Sequence, residues 1–354
     1  MTDARPASRL LWPDLMRVVA IFFVLVLHIS EDVTSHWGRI PLFDWMSGNV
    51  YNALARFCVP VLFMVTGSLL LGRQEDLRTF FSKRLRKIAI PLIVWSFIYL
   101  LWSRDYANFT PFNAFKAMVK TILTGPAYYH LWFMYALIGI YLLIPILRAF
   151  VQSADETLVW YLIALWFFAD PLLAYLERLV GFKFGLDLGF MLGYIGFVVM
   201  GYQMGRIRFS RKWVLAAAIG LFLATGYTVY ATYRATLDAG RLFGWYYGYE
   251  TINVTLMSAC AFILLKALGE YLSVHASRFL VPAITSLSTA SFGIYLVHII
   301  VLAWLQTGAL GFKVSVLSAP PLYMIPLMAL AAFLISFVIV YFIQKIPLLR
   351  EIVP

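Results

Sequence analysis

The sequence has few charged residues and almost no cysteine. Asp, Glu, Lys and Arg make up 13% of the 354 residues, about half of their usual share in a soluble domain. This scarcity of charge excludes a soluble globular enzyme and a disordered chain. The two cysteines, Cys58 and Cys260, both lie in apolar stretches and form no CxxC pair. The chain therefore gives no support for a disulfide framework or a structural zinc site.

Apolar residues dominate what is present. Hydrophobic residues make up 62% of the chain, aromatic residues 17%, and the mean hydropathy is +0.84. The apolar residues come in blocks of about 20, the length of a membrane-spanning helix, and not in alternating ten-residue strands. The sequence therefore predicts an all-α fold, a polytopic transmembrane helical bundle.

The apolar blocks predict about ten transmembrane helices in a single membrane-embedded domain covering residues 1–354. The first block starts near Leu11 and is long enough to span, so no cleavable signal peptide is expected. The ten predicted spans are 11–30, 49–71, 88–102, 129–148, 157–177, 188–205, 213–232, 250–268, 283–306 and 321–344.

The charges between the spans predict an orientation. With the N-terminus inside, seventeen Lys and Arg residues face the cytoplasm and nine face the opposite side. Cytoplasmic loops carry the excess of positive charge. We therefore expect both termini in the cytoplasm. The net charge of +11 is then accounted for by these loops, and no nucleic-acid partner is expected.

Polar and titratable residues inside the spans are costly and mark candidate sites. With the predicted orientation, most of them fall in the outer half of the bundle, which predicts a polar chamber there. The alternative is a set of interhelical pairs that only hold the bundle together. These residues are Asp14, Arg17, His28, Arg56, Asp170 and His298, with His130 and Glu250 at helix starts.

The first helix carries a cation near one end and an imidazole near the other. Arg17 and His28 are eleven residues apart, about three helical turns, so they share a face about 16 Å apart along the axis. Asp14 lies on the same face, three residues before Arg17. His28 suits a general base or a transiently acylated nucleophile. The alternative is that Arg17 reaches to headgroups and His28 ends the helix at the interface.

Five motifs occur in order along the chain. They are Arg17-x10-His28, the segment 56–67 with Arg56, Val-Pro and Thr-Gly, the basic segment 80–96, the Tyr-His-Leu-Trp-Phe segment 129–133, and the Ser-Phe-Gly-Ile-Tyr-Leu-Val-His segment 291–298. Together they resemble the acyltransferase-3 family of integral membrane acyltransferases. Within it, the chain most resembles the O-acetyltransferases of enterobacterial common antigen and other surface polysaccharides.

The resemblance implies an enzyme of the bacterial cytoplasmic (inner) membrane. It would move an acyl group from cytosolic acyl-CoA to a hydroxyl of an extracytoplasmic or lipid-linked glycan. The expected acyl group is acetyl, with acetyl-CoA as the donor. It implies His28 and Arg17 as catalytic residues. The sequence departs from the family in its basic segment, where Lys83-x-x-Arg86 or Arg84-x-x-Lys87 stands for Arg-x-x-Arg.

The basic segment has two interpretations. Lys83, Arg84, Arg86 and Lys87, with Asp14 beside Arg17, could bind the donor, because clustered Lys and Arg hold the phosphates of coenzyme A. The same charges also serve as a positive-inside signal and bind anionic lipid headgroups.

The remaining candidates are expected to line the chamber or bind the acceptor. Ser291, Tyr295 and His298 share one face of their helix, although Ser291 also suits close helix packing. His130 and Trp132 resemble an aromatic wall for a sugar, or an interfacial belt. The full set is Arg56, His130, Trp132, Glu250, Ser291, Tyr295 and His298.

Two other functions compete with the enzyme. A secondary transporter also needs charges and broken helices near the midplane, but it usually shows matching inverted repeats. No such repeat is visible between the two halves of the chain. A glycan or lipid binder without activity has no specific support. The expected partners are the lipid bilayer and the glycan acceptor, and no metal is expected.

Overall fold

The computed structural model describes residues 10–104, 110–181, 183, 193–309, 311 and 313–354. Within these residues the chain forms α-helices with short 3₁₀ and π turns and no β-strand, so the predicted all-α class is confirmed. The helices are α1 (Leu11–Ser35), α2 (Leu42–Ala55), α3 (Cys58–Leu70), α4 (Leu77–Ser103), α5 (Pro111–Thr124), α6 (Trp132–Ser153), α7 (Glu156–Phe167), α8 (Leu173–Val180), α9 (Ile195–Arg206), α10 (Arg211–Ala239), α11 (Ile252–His275), α12 (Leu280–Thr307) and α13 (Pro321–Lys345).

Nine segments of the described residues are long and apolar enough to cross a membrane. Two are composite: α2 and α3 form one broken helix, and α7 continues into α8 through a π turn that contains Pro171. The remaining predicted span, 188–205, corresponds to α9, which has 12 residues in its described part. Most of the residues just before α9 lie outside the described residues. The multi-pass bundle is confirmed, with nine of the ten predicted spans meeting this length.

Two segments differ from the sequence prediction. The basic segment is helical, because α4 starts at Leu77 and not near residue 88. The short helix α5 was not predicted, although Thr110 and Pro111 are a typical helix start. The Thr110 hydroxyl accepts from the Asn113 amide at 3.3 Å. The apolar blocks do not predict α5, because this amphipathic helix of 14 residues is too short to span a membrane.

Helix α1 occupies the centre of the bundle. It packs against α2, α3, α11, α12 and α13, and residues along its whole length are buried, from Leu11 to Thr34. A helix that is apolar nearly all round belongs in such a position. The central place of α1 brings its few polar residues into contact with the surrounding helices.

Helices α3 and α9 approach each other closely at two glycines. A Cβ on Gly201 would lie 2.1 Å from the Met64 carbonyl oxygen, and one on Gly67 would lie 1.8 Å from the Val198 carbonyl oxygen. Small residues at helix crossings allow this approach in membranes. The contact holds the short helix α9 against the broken α2–α3 helix.

The two ends of the bundle differ in charge. The start of α1, the start of α4 and the end of α13 meet at one end, which we call the basic end. There Asp14 accepts from Ser288 at 2.7 Å, and Gln344 Nε2 donates to the Thr289 carbonyl at 3.5 Å. The start of α1 and the end of α13 therefore lie at the same end of the bundle.

We predict that Gly201→Val destabilises the protein strongly. The new side chain would overlap the backbone of α3, and overpacking of this kind costs about 1–3 kcal/mol. The midpoint of thermal unfolding, measured in detergent by intrinsic fluorescence, should fall by about 1–4 °C, because a chain of this length shifts by about 1.3 °C per kcal/mol.

The control for this variant is Gly226→Val in α10, where a Cβ would meet nothing within 4 Å. Equal midpoints for the two valine variants would contradict the close packing of α3 and α9.

Candidate active site

Three histidines from distant parts of the sequence meet inside the bundle. His28 lies on α1, His130 in the 3₁₀ turn before α6 and His298 on α12. The ring centroids of His28 and His298 are 5.4 Å apart, as are those of His130 and His298. His130 and His298 are buried and His28 is 11% exposed. This arrangement is consistent with the prediction that the three histidines lie together.

The hydrogen bonding of His298 defines its tautomer. Its Nδ1 lies 2.6 Å from the Tyr295 carbonyl oxygen, and a carbonyl can only accept, so Nδ1 carries the proton and Nε2 keeps a lone pair. His298 Nε2 and both ring nitrogens of His130 have no hydrogen-bond partner among the described residues. Buried imidazoles with free nitrogens are candidates for binding or proton transfer.

A carboxylate and a guanidinium orient His28. Glu31 Oε2 lies 3.4 Å from His28 Nδ1, and Glu31 Oε1 lies 3.0 Å from Arg56 Nη2. Arg56 stands at the break between α2 and α3, where its Nε donates to Asn52 Oδ1 at 2.8 Å. The contact between Glu31 and His28 Nδ1 is at ion-pair distance without hydrogen-bond geometry, and it places a carboxylate beside the imidazole.

A cavity of about 480 Å³ lies at the end of the bundle opposite the basic end. Glu31 and Arg56 form its polar side, and the guanidinium of Arg56 lies 4.6 Å from the centroid of the Tyr247 ring. We call this the distal cavity. Its lining is Glu31, Thr34, Arg56, Leu242, Gly244, Tyr247, Gly248 and Tyr249.

A second cavity, of about 400 Å³, runs from the basic end towards the histidines. Arg17 and Lys87 lie near its basic end and Tyr295 near its inner end. Arg17 is held by the buried Asp14, with Nη1 3.2 Å from Oδ1. The Tyr295 hydroxyl donates to the His130 carbonyl oxygen at 2.6 Å. We call this space the neck.

The neck adjoins a larger cavity of about 950 Å³, which we call the basin. Lys87, Thr289 and Pro354 line both spaces. Six cations line the basin, which makes it the most basic of the three cavities. These are Arg73, Lys83, Arg84, Arg86, Lys87 and Arg350.

The four cations predicted to bind the donor are not equivalent. Arg84 pairs with Glu75 at 2.6 Å and lies 4.7 Å from the Phe80 ring centroid. Lys83 pairs with Glu75 at 3.3 Å. Partial desolvation raises the pKa of Glu75, but the hydrogen bond from Lys83 and the charge of Arg84 outweigh it, so this pKa is lowered. Lys87 has no such partner within the described residues.

Three of the residues predicted to line the chamber contact residues other than the three histidines. The Trp132 ring packs between Tyr194 and Tyr249, each with a centroid 5.7 Å away. Ser291 donates to the Ser288 carbonyl in its own helix and lines the neck. Glu250 faces Gly193, whose amide binds Asp170, and lines none of the three cavities.

The histidines themselves line neither the neck nor the distal cavity. They fill the layer between the two spaces, with Tyr295 on the neck side and Glu31 with Arg56 on the distal side. The structure is therefore closed between the cavities. Of the three imidazoles, His130 and His298 are buried in this layer, whereas His28 keeps 11% of its side chain exposed.

Sequence reasoning missed several residues of these cavities. Glu31 follows His28 by three residues, so it lies on the same face of α1, and this spacing could have identified it. In the same way, Asn52 precedes Arg56 by four residues, so the two side chains lie on the same helix face. Arg73 and Arg350 were counted only as loop charges, and no local pattern brings them to the basin, because residues 73 and 350 meet there only through the tertiary fold.

No metal site is visible in the part of the chain that the structure describes: no three His, Cys, Asp or Glu side chains are arranged to hold an ion. The expectation that the protein uses no metal stays a prediction.

The chain was compared with known proteins. The model of the acyltransferase-3 family, described as "Acyltransferase domain", matches residues 10–343. This match covers all three histidines and most of the residues that line the neck and the basin. Neither a comparison with curated proteins nor one with solved structures finds a match.

Proposed function

Since this chain belongs to the acyltransferase-3 family and is a multi-pass membrane acyltransferase, we propose that it moves acetyl from cytosolic acetyl-CoA to a glycan hydroxyl. The glycan would be extracytoplasmic or lipid-linked, as in the O-acetyltransferases of enterobacterial common antigen. The membrane would be the cytoplasmic membrane of a bacterium. Family membership decides for an acyltransferase and against the secondary transporter and the inactive binder.

The observation that carries the proposal is the order of the cavities. A basic basin leads into the neck, the neck ends at Tyr295, the histidine layer follows, and the distal cavity lies beyond it. A donor and an acceptor that approach from opposite sides of a membrane would meet at this layer. Acetyl-CoA is too polar to cross lipid, so the enzyme has to provide such a meeting point.

The basin suits the charged part of coenzyme A. Phosphates bind most strongly to cations that are not already neutralised. Lys87, Arg73 and Arg350 have no carboxylate partner among the described residues, whereas Glu75 neutralises Lys83 and Arg84. Lys87 also lines the neck. We therefore assign the phosphates chiefly to Lys87, Arg73 and Arg350, with the uncharged pantetheine arm in the neck beside Arg17.

The distal cavity suits a sugar. The Tyr247 and Tyr249 rings provide apolar faces, and Glu31 with Arg56 provides an acceptor and donors for hydroxyl groups. An acceptor hydroxyl in this cavity would approach the histidine layer from the side of Glu31.

His28 acts as the general base in this proposal. Its imidazole takes the proton of the acceptor hydroxyl while that oxygen attacks the thioester carbonyl. The bond between the carbonyl carbon and sulfur breaks, and the coenzyme A thiolate leaves and takes up the proton. Glu31 stabilises the imidazolium that forms in between, because its carboxylate lies 3.4 Å from Nδ1.

We predict that His28→Ala abolishes acetylation. Loss of a general base lowers the rate by about 10²–10⁴. Glu31→Gln should reduce the rate by a smaller factor, because an amide cannot stabilise the imidazolium. The measurement is the acetate released by mild alkali from the surface glycan of a deletion strain that carries each variant.

His275→Ala is the matched control, since His275 lies at the end of α11 and lines none of the three cavities. It should restore acetylation fully. Normal acetylation by a well-inserted His28→Ala protein would refute the proposed role of His28.

Lys87→Gln should raise the KM for acetyl-CoA more than Arg84→Gln does, because Arg84 is paired with Glu75 whereas Lys87 has no carboxylate partner among the described residues. Steady-state kinetics on purified protein measure the difference, with membrane topology verified for both variants because these charges also orient α4. A larger effect of Arg84→Gln would contradict the assignment of the phosphates.

A further inference from the structure

The segment that follows α13 folds back across the basin. Trp95 Nε1 donates to the Ile352 carbonyl at 2.8 Å, and Gln344 Nε2 donates to the Val353 carbonyl at 3.0 Å. The Val353 side chain is fully buried. Residues 350–354 thereby form one wall of the basin, apart from Ile352.

This wall places a carboxylate among the cations of the basin. Both oxygens of Glu351 accept from Arg86 Nη2, at 2.8 and 3.0 Å. Glu351 is the one acidic residue among the described residues that line this cavity. It binds Arg86 through the kind of contact that a phosphate would make. Glu351 thus occupies an anion position inside a cavity that otherwise carries only positive charge.

The contact is weak enough to be exchanged. The Arg86 side chain is 66% exposed and that of Glu351 is 44% exposed, and exposed ion pairs contribute little to stability. A phosphate carries more negative charge than a carboxylate and has an additional acceptor oxygen. A ligand with several phosphate charges can therefore displace Glu351 from Arg86, whereas a neutral ligand cannot.

We propose that Glu351 is an internal anion competitor in the donor cavity, which holds Arg86 until a polyphosphorylated donor displaces it. This inference rests on the proposed function, in which a coenzyme A thioester binds in the basin. Displacement frees Arg86 for the donor and releases the wall formed by residues 350–354. Thioesters that lack the phosphates, such as those of pantetheine, gain nothing from Arg86 and leave its pair with Glu351 intact.

The competition makes opposite predictions for the two partners of the pair. Glu351→Gln removes the competitor, so the Kd for coenzyme A should fall about threefold. Arg86→Gln removes the phosphate contact, so this Kd should rise about tenfold. If the pair had a purely structural role, the Kd for coenzyme A would change in the same direction in both variants. Isothermal titration of the full chain in lipid nanodiscs measures both values.

Two further titrations distinguish competition by Glu351 for the phosphates from a general effect of removing one negative charge. Pantetheine should bind both variants as it binds the wild type, because it has no phosphate. Glu156→Gln, which removes one carboxylate at the basic end but outside the basin, should leave the Kd for coenzyme A unchanged.

The outcomes distinguish this inference from the proposed function. A wild-type protein that binds coenzyme A while Glu351→Gln binds it equally or more weakly overturns the role of Glu351 alone. An equal gain for pantetheine and coenzyme A does the same. A wild-type protein that does not bind coenzyme A overturns the donor assignment, and the role of Glu351 with it.

Discussion

The ion pair between Arg56 and Glu31 is the interaction on which the arrangement of the site depends. A guanidinium inside an apolar bundle needs a partner, because an unpaired buried charge is strongly destabilising. Arg56 is 8% exposed and finds that partner on α1, across the break between α2 and α3. The same carboxylate lies against His28. One pair thus joins the broken helix to the central helix, orients the proposed base and forms the polar side of the distal cavity.

A second constraint follows from the proposed function, in which the membrane has to remain sealed while an acyl group crosses it. Helix α1 meets this constraint with an apolar stretch of three turns between Arg17 and His28. The neck runs beside this stretch and ends at Tyr295. The Tyr295 hydroxyl binds the His130 carbonyl, so the same residue closes the neck and holds a histidine in place. Tyr295 is therefore the contact between the neck and the histidine layer.

The sequence was sufficient for the all-α multi-pass fold, because long apolar runs determine it. His28, His130 and His298 were selected from motifs within single helices, and their proposed roles stay predictions. The sequence was less informative where residues meet only through packing. Arg350 and Glu351 reach the basin because the segment after α13 folds back, and no local pattern predicts that. Glu250 was placed with the histidines from its depth alone, whereas in the structure it faces Gly193. Depth along a helix is readable from sequence, but direction around the bundle depends on the neighbours.

The central claim is that donor and acceptor reach one histidine layer from opposite sides of the membrane. The most direct test supplies radiolabelled acetyl-CoA to sealed vesicles of each orientation and locates the acetylated glycan. The account predicts labelling only in inverted vesicles, whose cytoplasmic face is exposed, with the product inside and protected from added esterase until detergent opens the vesicle. Labelling in sealed right-side-out vesicles, or a product open to esterase on inverted vesicles, would contradict it.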